Sequence, residues 1–520
     1  MFFYLIITIL VLFYYVSTRK FNYFKNKNVP HVPPKFLLGN YGDLILQKRN
    51  LFQVVEDLCS QFPDEKFIGA YYGTEPVLIP IDPDIVKLII TKDFYYFHGR
   101  ELSEHNHKEP AALNLFGTYG DGWKVLRQNM TPLFSSAKMK NMFYLIQKCS
   151  YIYESMIDKE VTMSKDIEVR GLTAKFTIEC IAACAFGVDA NTMTDDPTKN
   201  PFAKIANSIF GNAKQVFYKR LFRQVWPSFY YALGLRTLTK QIDFFHNLIT
   251  TVMNGRNYTA SGRHDFVDLV LSWKQSNKIV GDSMKTLKTG EAHKISLTAD
   301  DDLLVAQCFV FFTAGFETSS TTLSYTLYEL TKRPDIQDKV LAEVDAYLAR
   351  HDNKLLYECI AELPYLDAVI DETLRLYPVL GVIFREQMED YTFPNGVRTE
   401  KGLRIHLPVH YLHYNPKYYP NPEEFRPERF LGDEKRKINP YTYMPFGEGP
   451  RVCIGMRFAK MQMIAGLITM LKKYRLELAD DMPKKLTLKP ETFITHPVGG
   501  INLKFIEREG WESRVFSKEE

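Results

Sequence analysis

Paired cysteines are absent from this sequence. Its seven cysteines lie far apart, include no CxxC pair and form no dense framework; they stand at positions 59, 149, 180, 184, 308, 359 and 453. This spacing excludes a small secreted scaffold stapled by disulfides and predicts a reducing, cytosolic setting for most of the chain. Cys180 and Cys184 could share a helix face, but no neighbouring ligand completes a metal site, so we expect small core residues there.

The sequence also has a small net charge, no linker-like tract and no nucleotide-binding pattern. A formal charge of +4 on 520 residues, with no basic stripe interleaved with aromatics, argues against nucleic-acid binding. No tract rich in Gly, Ser or Pro and no fixed-period repeat divides the chain. No GxGxxG follows a predicted strand, so we expect no flavin or nicotinamide site. With 46% hydrophobic residues, the chain can form one large unit with a substantial core.

The amino terminus is apolar from Phe2 to Val16 and turns basic at once, at Arg19 and Lys20. A signal peptide would carry its positive charge before the apolar run. As a helix, residues 1–17 would reach about 25 Å, near the ~27 Å of the endoplasmic reticulum membrane. We therefore predict a membrane anchor over 1–17, a basic, proline-rich spacer over 18–34, and a catalytic domain over 35–520. A buried core helix is the alternative for the first segment.

The body shows mainly helical periodicity. Two stretches, 66–81 and 385–407, look extended, and the second contains the turn sequence Phe393-Pro394-Asn395-Gly396. The polar, lysine-rich stretch 276–296 is predicted to be a flexible surface loop. These patterns indicate a mainly α fold with a small β region.

The most informative segment runs from Met444 to Gly455, with the sequence MPFGEGPRVCIG. Its glycines and prolines predict an irregular loop, and the apolar periodicity from Met456 onward predicts a helix. Cys453 would then lie near a helix amino terminus, where unpaired N–H groups and the dipole stabilise an anion. We expect a lowered thiol pKa there, which favours the thiolate that binds metals.

A second segment, from Pro364 to Pro378, is predicted to be a helix. Glu372 and Arg375 stand at i and i+3 on one face of it. An exposed ion pair, contributing about 0.5 kcal/mol or less, is one interpretation. The other is a buried network with Arg429 that fixes this helix to the loop carrying Cys453.

A third segment, from about Asp300 to Leu330, is predicted to be a helix of about 45 Å. Thr298 and Asp301 form a candidate capping box. Gln307 interrupts its apolar centre, which places it in a core and not in a membrane. Gly315, in the middle, costs about 1 kcal/mol relative to alanine and so needs a packing or functional reason. A hydroxyl or water inserted into the hydrogen-bond ladder near Thr318 could open the helix locally. A helix kink with a back-bonded Thr318 is the alternative.

Together, in chain order, these segments resemble the cytochrome P450 superfamily over essentially the whole chain. The anchor, the proline segment and the motif from Trp123 to Arg127 precede the long helix, Glu-x-x-Arg and the cysteine loop. Within the superfamily, segments 446–455 and 315–319 look like those of insect microsomal enzymes that oxidise foreign compounds. The resemblance implies a P450 fold, with a helix-rich haem domain and a small β region.

The resemblance also implies roles for single residues. Cys453 would ligate the iron of haem b. The electron density that its thiolate donates to the iron would favour cleavage of the O–O bond of dioxygen. Thr318 and Glu317 match the family's alcohol and acid, which help to deliver protons. The expected haem-contacting residues are Trp123, Arg127, Arg385, Arg451, Phe446 and Arg100, although each arginine could instead be a surface charge. The expected substrate-contacting residues are Phe311, Phe312, Ala314, Val382 and Ile383, although the aromatic ones could be plain core.

A microsomal member of the family takes electrons from NADPH through a separate reductase, with cytochrome b5 as an optional donor. We therefore expect an endoplasmic reticulum enzyme facing the cytosol and acting on lipophilic small molecules, foreign or endogenous. A basic patch for the reductase would include Lys124, Lys138, Lys140 and Lys460. Three rival functions remain: a peroxide isomerase or dehydratase, a haem sensor or carrier, and a membrane scaffold without haem. The presence of Thr318 argues against the first.

Overall fold

The computed structural model describes residues 1–210, 213–263 and 265–517. Helices dominate these residues, which confirms the mainly α class. The helices are α1 Phe2–Thr18, α2 Gly42–Ile45, α3 Leu51–Ser60, α4 Pro83–Lys87, α5 Gly120–Met130, α6 Ser136–Met163, α7 Val169–Ile181, α8 Pro201–Phe210, α9 Ala213–Val225, α10 Pro227–Ala232, α11 Thr239–Gly255, α12 Phe266–Ser276, α13 Thr286–Thr289, α14 Asp301–Thr331, α15 Pro334–Arg350, α16 Cys359–Glu362, α17 Pro364–Leu376, α18 Val409–His413, α19 Gly432–Lys437 and α20 Met456–Leu471.

The strands form small sheets. They are β1 Phe67–Tyr72, β2 Glu75–Pro80, β3 Ile167–Glu168, β4 Lys278–Asp282, β5 Lys294–Thr298, β6 Ile383–Glu386, β7 Tyr391–Thr392, β8 Arg398–Thr399, β9 Arg404–Leu407, β10 Tyr474–Leu478 and β11 Asn502–Glu507. One sheet has the order β1-β2-β9-β6 and another β10-β11-β3, beside the hairpins β4-β5 and β7-β8. Both stretches predicted to be extended, 66–81 and 385–407, contain strands of the first sheet. That sheet brings β6, with Arg385, close to residue 99, because Gly99 bridges to Glu386.

The stretch 276–296, predicted to be a flexible loop, is largely the hairpin β4-β5, and the prediction was wrong. Ile279 pairs with Leu297 and is buried, whereas the next residue, Val280, is exposed. The hairpin lies on α5, where the side-chain amide of Asn129 donates to the Val280 carbonyl at 2.9 Å. The alternation of apolar and polar residues was present, but it is short and surrounded by lysines, which hid it.

Helix α14 runs through the core as predicted. Its amino-terminal cap is Asp300, which accepts from the Leu303 N–H at 2.8 Å. The predicted capping box of Thr298 and Asp301 is therefore wrong, because Thr298 belongs to β5. Gly315 has a packing reason: a Cβ there would lie 2.8 Å from Cδ1 of Ile181. The missing side chain lets α14 and α7 approach closely.

The apolar helix α1 has 17 residues, nearly all exposed. Among the described residues, the one helix that meets both the length and the hydropathy expected of a membrane span is α14, and most of α14 is buried in the core. The segment after α1 does not stand clear of the body as the predicted spacer would. Phe24 is fully buried and packs on Tyr71 of β1, and Lys27 pairs with Glu400 at 2.6 Å. Its aromatic residues explain why it folds back.

The predicted network on α17 exists and is buried. Arg375 donates through Nε and Nη2 to the two carboxylate oxygens of Glu372, both at 2.8 Å, and Arg429 Nε lies 3.5 Å from Glu372 Oε1. The remaining donors of Arg375 bind the carbonyls of His413, Pro422 and Glu424. Because these donors and the carboxylate all find partners, the network fixes the coil between α18 and α19 to α17.

The network reaches the cysteine loop indirectly, through His413. The N–H of Met444 donates to His413 Nε2 at 3.0 Å, and His413 Nδ1 lies 3.1 Å from the Arg375 carbonyl. Nε2 must accept, so the proton is on Nδ1 and donates to the carbonyl. Burial lowers the pKa of His413 to about 3, so the ring is neutral at physiological pH. One neutral imidazole thus joins α17 to the loop.

We expect Arg375→Leu to destabilise the protein by about 3–5 kcal/mol, because the buried Glu372 would lose both hydrogen bonds from Arg375 and keep only the longer contact with Arg429. The matched control is Arg436→Leu, whose i,i+3 pair with Asp433 is about four-fifths exposed and whose loss should leave stability unchanged. Urea unfolding of both variants measures the difference. Equal effects would show that the buried network does not stabilise the fold.

Candidate active site

Helix α14 presents one exposed face in the middle of the core. Ala314 is exposed, and Val310 and Thr318 are partly exposed, although helices surround this part of α14. These residues are four apart and so share a face. The neighbours on the other side, Phe312 and Phe316, are buried. The helix therefore borders an internal space along this face.

Cys453 is the exposed one among the seven cysteines, all of which the structure describes. Its N–H donates to the carbonyl of Phe446 at 2.8 Å, which closes the loop 446–453. Gly447 and Gly449 carry φ values of +73° and +71°, which favour glycine, and α20 begins at Met456. As predicted, the thiol lies just before the amino terminus of a helix.

The pKa of Cys453 is raised, contrary to the lowered value that the sequence predicted. Although the thiol is accessible, the protein atoms packed around it desolvate it, and this desolvation is the main cause; the Gly455 N–H and the charges of Arg127 and Arg100 oppose it. The helix terminus and the arginines therefore favour the thiolate but do not outweigh desolvation. A bound metal cation would supply the missing positive charge and deprotonate the thiol.

Four arginines gather at this loop: Arg451 belongs to it, Arg127 lies on α5, Arg385 lies on β6, and Arg100 follows Gly99. Arg127 of α5 donates to the Val452 carbonyl at 2.8 Å. Arg451 lies over the Trp123 ring at 4.7 Å and donates to the carbonyls of Phe116 and Thr118. These contacts join α5 and the 116–118 segment to the cysteine loop.

Among the described residues, none of the four arginines has a carboxylate within salt-bridge distance. The Nε atoms of Arg100, Arg385 and Arg451 are buried without a hydrogen-bond partner. Burial and the repulsion of Arg100, Arg385 and Arg127 lower the pKa of Arg451 well below its usual value, and burial lowers that of Arg100 to about 10. Buried positive charges require anionic partners. The cluster therefore fits a ligand that brings carboxylates beside Cys453.

The predicted acid and alcohol of α14 lie on different sides of the helix. Thr318 Oγ1 donates to the Ala314 carbonyl at 2.8 Å, on the exposed face. Glu317 is 1% exposed, and its Oε1 contacts Arg170 of α7 and His496 Nε2, the latter at 2.8 Å. The structure therefore brings Thr318, but not Glu317, to the exposed face.

Of the predicted substrate residues, Ala314 alone lies on the exposed face. Phe312 is fully buried against Phe245, with ring centroids 5.4 Å apart, and Phe311 stacks on Phe266 at 4.4 Å. Both aromatic residues are thus part of the core, which was the alternative interpretation. Val382 and Ile383 are buried beside the first sheet, and Ile383 Cδ1 would lie 3.8 Å from a Cβ on Gly447 of the cysteine loop.

Gln307 of α14 holds the segment 113–115 in place, a role that the sequence did not predict. Its Oε1 accepts from the Leu115 N–H and its Nε2 donates to the Leu113 carbonyl, both at 2.8 Å. In the sequence, this residue is a polar interruption of an apolar helix. That interruption was the available signal, since a buried glutamine needs partners for its amide.

Comparison with known proteins gives one consistent result. The family model described as "Cytochrome P450" matches residues 30–504. The chain is 37% identical to cytochrome P450 6B2 of Helicoverpa armigera over 506 residues, which cover 96% of the chain and 97% of the relative. It is 35% identical to cytochrome P450 6B1 of Papilio polyxenes (97% and 99% covered) and 33% identical to cytochrome P450 6a8 of Drosophila melanogaster (95% and 96% covered).

We expect Gly449→Ala to destabilise the cysteine loop strongly. Its φ is +71°, and a Cβ there would lie 2.0 Å from the Ile90 carbonyl oxygen, a backbone atom that cannot move aside. Gly432→Ala is the control, because Gly432 also has a positive φ, +49°, but open space around it. Thermal unfolding should show a much larger loss for Gly449→Ala, and equal losses would contradict the close packing.

Proposed function

The chain belongs to the cytochrome P450 family and is a haem-dependent monooxygenase, and from this premise we propose that Cys453 ligates the haem iron. We further propose that the enzyme inserts one oxygen atom from dioxygen into lipophilic foreign compounds or endogenous lipids and hormones. Its electrons would come from NADPH through the P450 reductase, with cytochrome b5 as an optional donor. The observation that carries the site assignment is the cluster of four arginines around an accessible cysteine, with no carboxylate of the described residues within salt-bridge distance of them.

The residues around Cys453 fit haem b chemically. We assign Arg100, Arg127, Arg385 and Arg451 to its two propionates, because carboxylates would satisfy the buried guanidinium donors. Trp123 orients Arg451, and Phe446 fixes the backbone of Cys453. When bound, haem supplies the iron at which dioxygen is activated.

Thr318 can hold a proton at the edge of this site. Its hydroxyl points along the exposed face of α14 and now donates to Ala314. A hydroxyl can rotate, so the same proton can be donated into the site while Oγ1 accepts from water or from a protonated Glu317. We propose that Glu317 replaces this proton.

The substrate site would lie along Val310, Ala314 and Thr318, opposite Cys453. Small and apolar residues on this face suit an apolar substrate, whose transfer from water is favourable. Val382 and Ile383, at the start of β6, would add apolar contacts. Phe311 and Phe312 would support this face from within the core. The resemblance to insect enzymes that oxidise foreign compounds supports a detoxifying role.

We propose that residues 1–17 anchor the protein in the endoplasmic reticulum membrane and that residues 35–520 form the catalytic domain in the cytosol. The exposed apolar surface of α1 supports the anchor. Residues 18–34 would then connect the two while packing on the first sheet. Lys124 and Lys138 remain candidates for docking the reductase. Lys140 pairs with Glu358 and Lys460 with Asp367 and Asp371, so both are less available.

In the reduced wild-type protein, carbon monoxide should produce the red-shifted Soret band of thiolate-ligated haem. Cys453→Ser should abolish this band, because a serine hydroxyl does not supply the thiolate. The control, Cys359→Ser, replaces a buried cysteine and should keep the band. Absorbance spectra of the three proteins decide, and an intact band in Cys453→Ser would refute the assignment.

Thr318→Ala should keep haem but divert electrons from product to hydrogen peroxide. We expect a loss of about tenfold or more in product per NADPH, since general acid catalysis typically contributes 10²–10⁴-fold. Thr326→Ala is the control, because Thr326 makes the same kind of bond to the helix backbone but is fully buried. NADPH consumption, peroxide and product are measured with reductase present. Unchanged coupling would remove Thr318 from the proton route.

A further inference from the structure

Helix α9 lies between α14 and the first sheet. Phe210, the last residue of α8, packs on Phe316 of α14, with ring centroids 5.6 Å apart. Near the carboxyl end of α9, the Gln224 carbonyl accepts from Arg404 of β9 at 2.8 Å. The 13 residues of α9 reach about 20 Å as a helix. This helix therefore runs beside the space that α14 and the sheet border.

Arg220 lies on the inner side of α9. Phe217 packs against the buried apolar cluster of the first sheet, which includes Val382, one of the proposed substrate contacts. Arg220 follows Phe217 by one turn and so shares its side of the helix. Tyr218 and Lys219 are exposed and mark the opposite, outer side. The guanidinium of Arg220 is thus carried on the side of α9 that faces the body of the protein.

Arg220 has no partner for its charge among the residues that the structure describes. None of their carboxylates lies within salt-bridge distance, and none of their acceptors receives a hydrogen bond from it. Its side chain is partly accessible, yet the protein atoms around it desolvate it. This burial, with repulsion by Arg223, lowers the pKa of Arg220 to about 10. A group that is both surrounded by protein and accessible borders an internal space, as Cys453 also does.

The next arginine of the helix, Arg223, is paired. Its Nη1 lies 3.8 Å from Oε1 of Glu109, which is 1% exposed. The Glu109 carboxylate also accepts from the N–H and the hydroxyl of Thr237, at 3.0 and 3.1 Å. Glu109 is therefore engaged by Arg223 and by the segment before α11. It leaves the charge of Arg220 uncompensated.

We propose that Arg220 binds a carboxylate of the substrate and that the enzyme prefers lipophilic carboxylic acids over their neutral esters. This inference rests on the proposed function, and it names a substrate class for the same site. A guanidinium can donate two parallel N–H bonds to a carboxylate. The apolar residues Val310, Ala314 and Val382 suit the hydrocarbon part of such a molecule. The carboxylate itself is unchanged by the oxidation.

The comparison of an acid with its ester isolates the charge. A bound carboxylate would offset the cost of keeping the Arg220 cation among protein atoms. The ester has nearly the same hydrocarbon contacts, but its oxygen atoms carry no charge and form weaker hydrogen bonds. A difference in affinity between the two compounds therefore measures what the guanidinium contributes.

The first test titrates the haem-loaded enzyme with decanoate and with methyl decanoate at neutral pH and follows the shift of the Soret band. We expect Arg220→Met to bind decanoate about tenfold or more weakly than wild type, the effect typical of losing a hydrogen bond to a charged group. Methyl decanoate should bind equally to both. The matched control is Lys219→Met on the exposed outer side of α9, and it should bind both compounds as wild type does.

Two outcomes of this titration would overturn the proposal. The first is equal affinity of wild type and Arg220→Met for decanoate. The second is an equal loss for the acid and the ester, because Arg220 would then only shape the site. Arg220→Lys keeps the positive charge without the paired donors, so it should bind decanoate more tightly than Arg220→Met.

Thermal unfolding without any ligand provides a measurement that does not depend on the haem spectrum. Arg220→Met removes an uncompensated cation from among protein atoms, so it should unfold at the temperature of wild type or above it. Arg223→Met should unfold at a lower temperature, because the buried Glu109 would lose its cation. Unfolding of Arg220→Met well below wild type would mean that the guanidinium has a structural partner, and the proposal would fail.

Failure of the proposed function has a different signature. If the acid and the ester bind with the expected difference, but wild type oxidises neither them nor any other lipophilic compound with NADPH and reductase, the proposed function fails and the role of Arg220 in binding stands. If wild type binds and oxidises the ester as well as the acid, the monooxygenase function stands and the preference for acids is refuted.

Discussion

The most demanding constraint in this protein is the gathering of four guanidinium groups beside Cys453, with Arg385 and Arg451 buried and Arg100 and Arg127 partly buried. Taking a cation out of water costs several kcal/mol unless an anion compensates. The chain provides carbonyl oxygens and the face of Trp123, but no described carboxylate within salt-bridge distance. Arg100 and Arg451 also repel each other. The fold must hold these charges together against repulsion and desolvation until an anionic cofactor offsets both, so the stability of the site is coupled to cofactor binding.

The helices and loops around the site hold the four arginines and Cys453 in place. α17 has a fully satisfied ion pair in Glu372 and Arg375, with both side chains 0% exposed. His413 connects α17 to the cysteine loop, because its ring binds both the Arg375 carbonyl and the Met444 N–H. On the other side, the absence of a side chain at Gly315 lets α7 pack closely on α14. The two halves of the site are thus fixed by different means: hydrogen-bonded charge behind the cysteine, and close helix packing behind Thr318.

The features that the sequence predicted are mainly local, and the buried contact of Arg429 with Glu372 is the exception. The helix after Cys453, the i,i+3 pair on α17 and the two extended stretches each follow from patterns within a few residues, and the fold class was confirmed. The link between Arg170 and Glu317 spans 147 residues, and that between Thr321 and His496 spans 175. No periodicity encodes such contacts. The prediction of a lowered Cys453 pKa was wrong for a related reason. It rested on the helix dipole and nearby charges, which are local, whereas desolvation of the thiol depends on the whole fold.

Helix geometry also explains why the acid needs partners of its own. Consecutive residues on an α-helix point about 100° apart, since a turn takes 3.6 residues. If Thr318 lines the internal face, Glu317 must point into the packed side of α14, where a free carboxylate would be costly. Its neighbours there are Arg170 and His496, which stabilise the charge but also direct it away from the alcohol. In the proposed proton route the acid and the alcohol therefore lie on different sides of α14. α7 and the carboxyl-terminal segment would act on that route through Arg170 and His496.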